Sequence, residues 1–179
     1  MIPELIPVTY NTKIDLLVAW LVSKSKFITD SPTSESYFIS PKTVILVRDF
    51  QRVEQVAKIL SSKDFRTMAA PEWGFTAYWE LNISQLFRRC DIVIYPTNVQ
   101  LNNFHLINNI VTLDLAPMFT TVNVSINTVI LVNVESDADQ KYFMQSMNTY
   151  YRQKKKFPPV CMRTWFQIVA IAKINEEGK

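Results

Sequence analysis

Short apolar runs rich in β-branched residues alternate along this chain with stretches striped at helical spacing. Residues 11–25 carry Ile14, Leu17, Val18 and Leu21 at helical spacing, which predicts a helix capped by Asn11 or Thr12. Residues 27–36 are rich in Ser, Thr and Asp around Pro32 and read as an exposed loop. Thr43-Val-Ile-Leu-Val47 is short, apolar and β-branched, so it is expected to be a buried strand. Val53, Val56, Ala57 and Leu60 then fall at i, i+3, i+4 and i+7, the signature of an amphipathic helix. Residues 65–70 read as the next strand. Trp79, Ile83, Leu86 and Phe87 stripe a helix with Arg88 and Arg89 in its last turn, where cations suit the helix dipole. Residues 91–97, 109–116 and 127–134 follow as strands. Phe143, Met144, Met147, Tyr150 and Tyr151 mark a helix that Ser136 or Asp137 could cap. A last helical run is expected around residues 164–173, within a helical extension from about residue 158.

Strands that alternate with helices imply an α/β fold, with a mostly parallel sheet sandwiched by helices. Five or more strands are expected, in a single domain over residues 1–179. The composition agrees: 48% of residues are apolar and 20% charged, as in a globular domain. A net charge of +3 is too small to argue for nucleic acid by itself. Cys90 and Cys161 make neither a disulfide framework nor a zinc site, and reduced thiols in a cytosolic setting are expected. Asn82 and Asn123 head glycosylation-type triplets, but Met1-Ile-Pro-Glu-Leu5 lacks the basic and apolar regions of a secretory signal. No apolar run reaches transmembrane length, so no membrane partner is expected.

The chemistry is notable for what the expected ligand loop lacks. In α/β sheets ligands sit at the loops that follow the strands. Here the stretch Gln100-Leu-Asn-Asn-Phe-His105 contains no Gly, Arg or carboxylate, and no arginine occurs between Cys90 and Tyr151. The only glycines are Gly74 and Gly178, neither of which sits directly after a strand and before a helix, which argues against a phosphate-binding turn. His105 is the only histidine, and without a nucleophile or carboxylate beside it a structural role is preferred. Asp91 and Asp114 could suggest a carboxylate pair, but strand-end capping is the preferred account. Glu135, Asp137 and Asp139 could bind a metal, yet acids also favour a helix N-terminus, and that reading is preferred. No catalytic residue, cofactor or metal is therefore expected. Arg152, Lys154, Lys155 and Lys156, beside Tyr150 and Tyr151, could track a phosphate backbone, although a lysine-rich helix end is the plainer account. The aromatic group Trp73, Phe75, Tyr78 and Trp79 is too dense for one helix to bury, so Trp73, Phe75 and Trp79 are candidates for an interface.

The order of elements resembles the C-terminal RecA-like domain of superfamily-2 helicases of the DEAD-box kind, over roughly residues 12–155. Lys42-Thr-Val-Ile-Leu-Val-Arg-Asp-Phe50 is similar to the motif IV strand of that family, and residues 51–60 to its following helix. Phe87-Arg-Arg-Cys-Asp-Ile-Val-Ile-Tyr95 resembles the run that leads to motif V. Thr97-Asn-Val99 stands where the family has Thr-Asp-Val, and Leu113-Asp-Leu-Ala-Pro117 resembles its Tyr-Asp-Leu-Pro. The departures bear on activity. Asn102, Asn103 and His105 stand where motif V has Arg, Gly and Asp, and the arginine-rich motif VI helix has no counterpart after Pro117. An arginine finger contributes about a thousandfold or more to phosphoryl transfer. The resemblance thus implies an inactive helicase-like domain, a pseudoenzyme that neither hydrolyses ATP nor binds it tightly. It is similar to the degenerate helicase domains of Yb-like, Tudor-domain proteins of the piRNA (RNA silencing) pathway, although no Tudor sequence is visible. That implies a scaffold in a cytoplasmic ribonucleoprotein granule, with a protein partner or a second copy as homo-oligomer. By the same resemblance, residues 72–75 lie where RNA-binding helicases place a motif loop. Phe104, Met118 and Phe119, in loops that active helicases use for ATP and RNA, complete the interface candidates. The alternative is the RNA-binding half of an RNA helicase that needs a separate N-terminal lobe. A small α/β enzyme of unrelated kind ranks third.

Overall fold

The computed structural model describes residues 2–5, 9–30, 32, 35–69, 87–96, 107–114, 126–156 and 165–172. Their elements in chain order are β1 (Ile2–Leu5), α1 (Lys13–Lys24), β2 (Lys26–Asp30), β3 (Glu35–Ile39), β4 (Thr43–Val47), α2 (Phe50–Ser62), β5 (Thr67–Ala69), β6 (Ile92–Pro96), β7 (Asn109–Thr112), β8 (Ile126–Asn133), α3 (Asp137–Lys156) and β9 (Trp165–Ala172). Seven strands form one sheet in the order β1-β9-β8-β7-β4-β6-β5. Every pairing in it is parallel. The expected α/β sheet with helices on both faces is therefore present.

Parallel strands covered on both faces read as near-continuous apolar runs. β4, β6 and β7 are buried throughout. Successive side chains of a strand alternate between faces. Ile45, Val47, Ile92, Ile94, Val111, Leu113, Val129 and Leu131 form one face and pack with α1 and α2. Ile130 and Val132 belong to the other, where Tyr142 and Phe143 of α3 meet them. The connection through α2 runs from β4 toward β5, and that through α3 from β8 toward β9, in opposite directions along the sheet. Right-handed crossovers in opposite directions must lie on opposite faces, as these two helices do.

Local sequence explains where the helices begin and end. Thr12 caps α1 in a capping box: its hydroxyl accepts from Asp15 N, and the Asp15 carboxylate accepts from Thr12 N, both at 3.2 Å. Leu16, Leu17, Trp20 and Leu21 form the buried stripe of α1, each such side chain contributing about 1.5–3 kcal/mol by leaving water. Asp49 caps α2 by accepting from Arg52 N at 2.8 Å. α2 ends in a Schellman turn, with Phe65 N bonded to Leu60 O and Asp64 N to Ser61 O. Asp64 takes the left-handed position of that turn, at φ 70°. Of the two expected caps for α3, Ser136 is the one used, its hydroxyl accepting from Asp139 N.

Two expectations are corrected. The helical run expected at residues 164–173, and with it that part of the C-terminal extension, is strand β9, paired along its whole length with β8 from Ile126↔Trp165 to Asn133↔Ala172. A continuous apolar run suits a buried helix and a buried strand equally, and here the open edge of β8 decides. The loop expected over residues 27–36 is an antiparallel hairpin, β2 against β3, from Lys26↔Ile39 to Asp30↔Glu35. Aromatic packing holds it in place: the Phe38 ring stacks on Phe65 at 4.7 Å and lies 4.9 Å from Phe27. Phe38 N also donates to Asp64 O at 2.9 Å, just beyond α2. Of the helix expected around residues 79–89, residues 87–89 are described and are helical, with Phe87 buried.

Candidate functional site

The sheet order places a topological switch between β4 and β7. The chain leaves the carboxyl end of β4 toward β5, whereas it leaves that of β7 toward β8, on the other side. In open α/β sheets the crevice at such a point is where ligands bind. The N-terminus of α2 opens onto it, and a helix N-terminus attracts anions.

The described side chains at this crevice are Arg48, Asp49, Arg52 and Asp114, and they contact one another, although the buried Arg52 Nε makes an ion pair rather than a hydrogen bond. The Asp114 carboxylate accepts from Arg48 N at 2.9 Å and lies 3.5 Å from Arg52 Nε. Both side chains of that ion pair are only 17% exposed, so it is poorly screened. Asp114 is fixed in turn because Leu113 N and Asp114 N both reach Leu46 O of β4. Arg52 Nη1 donates to Gln55 at 3.0 Å. The carboxylate of Asp49 occupies the α2 N-terminus as its cap, with Arg48 beside it at 3.5 Å on the surface. The position that would receive a phosphate in a nucleotide-binding sheet thus holds two carboxylates of the chain itself.

Asp91 lies at the opposite edge, just before β6, so it forms no pair with Asp114. Its carboxylate is almost fully buried. It accepts from Lys42 Nζ at 2.9 Å and from Ser40 N at 3.1 Å, with Arg66 Nη1 at 4.0 Å. Lys42 also donates to Cys90 O at 2.9 Å. This cluster ties the amino ends of β4 and β6 to the chain leading into β5, in line with the structural account of Asp91. Cys90 is buried among these groups. Burial raises its thiol to a pKa of about 11, against a smaller opposing effect of Lys42, so it carries no thiolate at neutral pH.

A third charged pair lies at the start of α3. Asp139 accepts from Lys13 Nζ at 2.8 Å and from Asn133 N at 2.8 Å, joining the first turn of α1 to the end of β8. This explains Asp139 without a metal. No group of three or more potential metal ligands occurs among the described residues. No helix among them is long and apolar enough to cross a membrane.

The sequence suggests Asp91 and Asp114 as a possible carboxylate pair and Asp139 as one of a group with Glu135 and Asp137, but not their cationic partners Lys42, Arg52 and Lys13. The signal available was slight: each cation stands beside the start of a strand or helix, far along the chain from its acid. Among the candidates for RNA contact, Arg152, Lys154, Lys155 and Lys156 occupy the last turns of α3. The interface candidates Trp73, Phe75, Trp79, Phe104, Met118 and Phe119 lie outside the described residues, as do Asn102, Asn103 and His105.

No protein-family model and no curated protein matches this chain. Among solved structures it is similar to the C-terminal domain of a possible DNA helicase from Lactobacillus plantarum WCFS1, at 13% identity and a TM-score of 0.38, over 97% of this chain and 76% of that one. That superposition is loose, and the α/β architecture rests on the sheet itself.

Proposed function

We propose that this chain is a non-catalytic, helicase C-terminal-like domain of RecA type that serves as a protein-interaction or self-association scaffold, in a cytoplasmic RNA-silencing granule of the piRNA kind. The observation that carries the reading is the internally neutralised switch point. Asp49 caps α2, and Asp114 accepts from Arg48 N and pairs with Arg52, where a nucleotide-binding sheet would offer free donors to phosphate. Asn102, Asn103 and His105 in the motif V positions support it from the sequence. Amide and apolar side chains suit protein contact better than phosphate contact. Two measurements test it together. Titration with a fluorescent ATP analogue is expected to show no saturable binding, and sedimentation across a broad concentration range is expected to show a rising mean mass. ATP turnover after an N-terminal helicase lobe is supplied, or a mass that stays monomeric throughout with no partner affected by Phe104→Asp or Phe119→Asp, would overturn it.

The second reading, an RNA-binding helicase half, draws on one observation: Arg152, Lys154, Lys155 and Lys156 cluster on the last turns of one helix. It requires salt-sensitive RNA affinity that changing these four residues to Glu abolishes.

A further inference from the structure

The hairpin β2–β3 stands apart from the seven-stranded sheet, and its two strands differ in what borders them. β3 has β2 on one side and Phe65 on the other, through the Phe38↔Phe65 bridge. β2 pairs with β3 alone among the described strands. Its outer edge can be read from one hydrogen bond. In an antiparallel ladder, pairs that exchange both backbone bonds alternate with pairs that exchange none. Phe38 sends its N–H away from β2, to Asp64 O. Phe27↔Phe38 is therefore a non-bonded pair, and so is Thr29↔Ser36, two residues along. It follows that the N–H and C=O groups of Phe27 and Thr29 point outward from β2.

These outward groups sit in a sequence that is complementary to itself. When Lys26-Phe-Ile-Thr-Asp30 is laid antiparallel to a second copy and centred on Ile28, Phe27 faces Thr29 of the partner subunit at both ends of the centre. Those are the residues whose backbone groups point outward, so each such pair exchanges two hydrogen bonds. Ile28 meets its own copy in a non-bonded pair, where side chains approach most closely. Lys26 stands opposite the partner's Asp30 at each end, so the register is also matched in charge. One exposed apolar side chain lies in the proposed contact: Phe27 is 53% exposed.

We propose that two copies of this chain associate through the outer edges of β2, forming a continuous four-stranded antiparallel sheet with two-fold symmetry across Ile28. This deepens the scaffold reading and rests on it: it names the occupant, a second copy, and the surface. An unprotected strand edge templates pairing of this kind. The two-fold makes the contact self-complementary, as a closed dimer requires. A strand of five residues offers less surface than the roughly 1,200 Å² of a stable interface, so association is weak and concentration-dependent.

The test is sedimentation of the intact chain over a concentration series, with circular dichroism to confirm the fold of each variant. Thr29→Pro removes an N–H that the hairpin does not use, and it is expected to abolish the concentration dependence. Lys26→Glu places like charges opposite each other at both ends of the contact, as does Asp30→Lys. Each is expected to weaken association about tenfold, since two cross-strand pairs turn from attractive to repulsive. The doubly exchanged chain, K26E/D30K, restores opposite charges and should recover the original affinity. Recovery is the decisive result, because a damaged hairpin would not regain affinity by a second change. If the native chain self-associates but Thr29→Pro and the single reversals leave it unaffected, the β2 edge is overturned while the scaffold reading stands on another surface. If the native chain remains monomeric throughout, the β2 proposal falls, and the self-association form of the scaffold reading falls with it.

Discussion

Replacing Asp139 by Ala should destabilise this fold more than any exchange of an exposed charge. The carboxylate holds Lys13 Nζ at 2.8 Å and Asn133 N at 2.8 Å, and the two charged side chains are only 11% and 6% exposed. Its removal strands an ammonium in a nearly closed site and orphans a buried backbone donor. Breaking a buried pair from one side costs about 3–5 kcal/mol, a large share of the roughly 5–15 kcal/mol that keeps a domain folded. The converse change, Lys13→Met, should cost less, about 1–3 kcal/mol. The carboxylate then keeps Asn133 N and the favourable N-terminus of α3. The combined chain K13M/D139A leaves no buried charge and should be more stable than D139A alone. Arg48→Ala serves as the control, because the Arg48–Asp49 pair is 70% and 55% exposed and contributes about 0–1 kcal/mol. The assay is urea unfolding at neutral pH, with the slope m compared to confirm that the folded state is unchanged. If D139A falls within about 1 kcal/mol of the native chain, or the double variant is less stable than D139A, the pair does not anchor α1 to the sheet.

Three further expectations concern turns and buried groups. Asp64→Gly should raise stability by about 0.5–1 kcal/mol in the same assay, because glycine takes the left-handed position at φ 70° without a Cβ clash. Asp49→Ala should lower it by about 0.5–2 kcal/mol through loss of the α2 cap, and a null result would mean that this cap does not stabilise the helix start. For Cys90 the folded state raises the pKa from 9.0 to about 11, so it binds the thiol proton more tightly than the unfolded chain does. Stability from this group is therefore intact below about pH 9 and is lost as the pH rises toward 11. Cys90→Ser should flatten that alkaline decline, and iodoacetamide should label Cys90 only after unfolding.

Much of the sheet was legible because buried parallel strands have one way to look. Thr43–Val47 carries four apolar residues in a row after Thr43, and the structure buries every position. The α2 stripe of Val53, Val56, Ala57 and Leu60 gave both the helix and its buried face. Trp165–Ala172 was misread because its identity as a strand depends on β8 lying open beside it, a fact the segment does not contain. The hairpin was missed for a related reason. Its strands flank Pro32 and lie largely at the surface, and Phe65, which stacks on Phe38, and the Asp64 carbonyl that fix it come from beyond α2. The charged clusters were the least legible part. Lys13 and Asp139 are 126 positions apart, and Lys42 and Asp91 are 49 apart. Only the folded sheet brings them together.

The arrangement of charge also bears on how such a domain could act. Asp91 binds Lys42 at the amino edge of the sheet, Asp114 faces Arg52 at the switch point, and Asp139 binds Lys13 beside β8. In each case a buried or half-buried acid is matched to a base from another segment, so the acids at the strand ends hold the chain together. A phosphate entering the crevice would have to displace Asp114 from Arg52 and would meet the carboxylate of Asp49 at the helix start. Like charge at that distance opposes it directly. Backbone groups tell the opposite story. Those of the central strands are used within the sheet, whereas Phe27 and Thr29 of β2 direct theirs away from the hairpin. Recognition through those groups would need an extended strand and no charge at all. That is the physical reason to look for a second copy of the chain at β2 before looking for a nucleotide at the switch point.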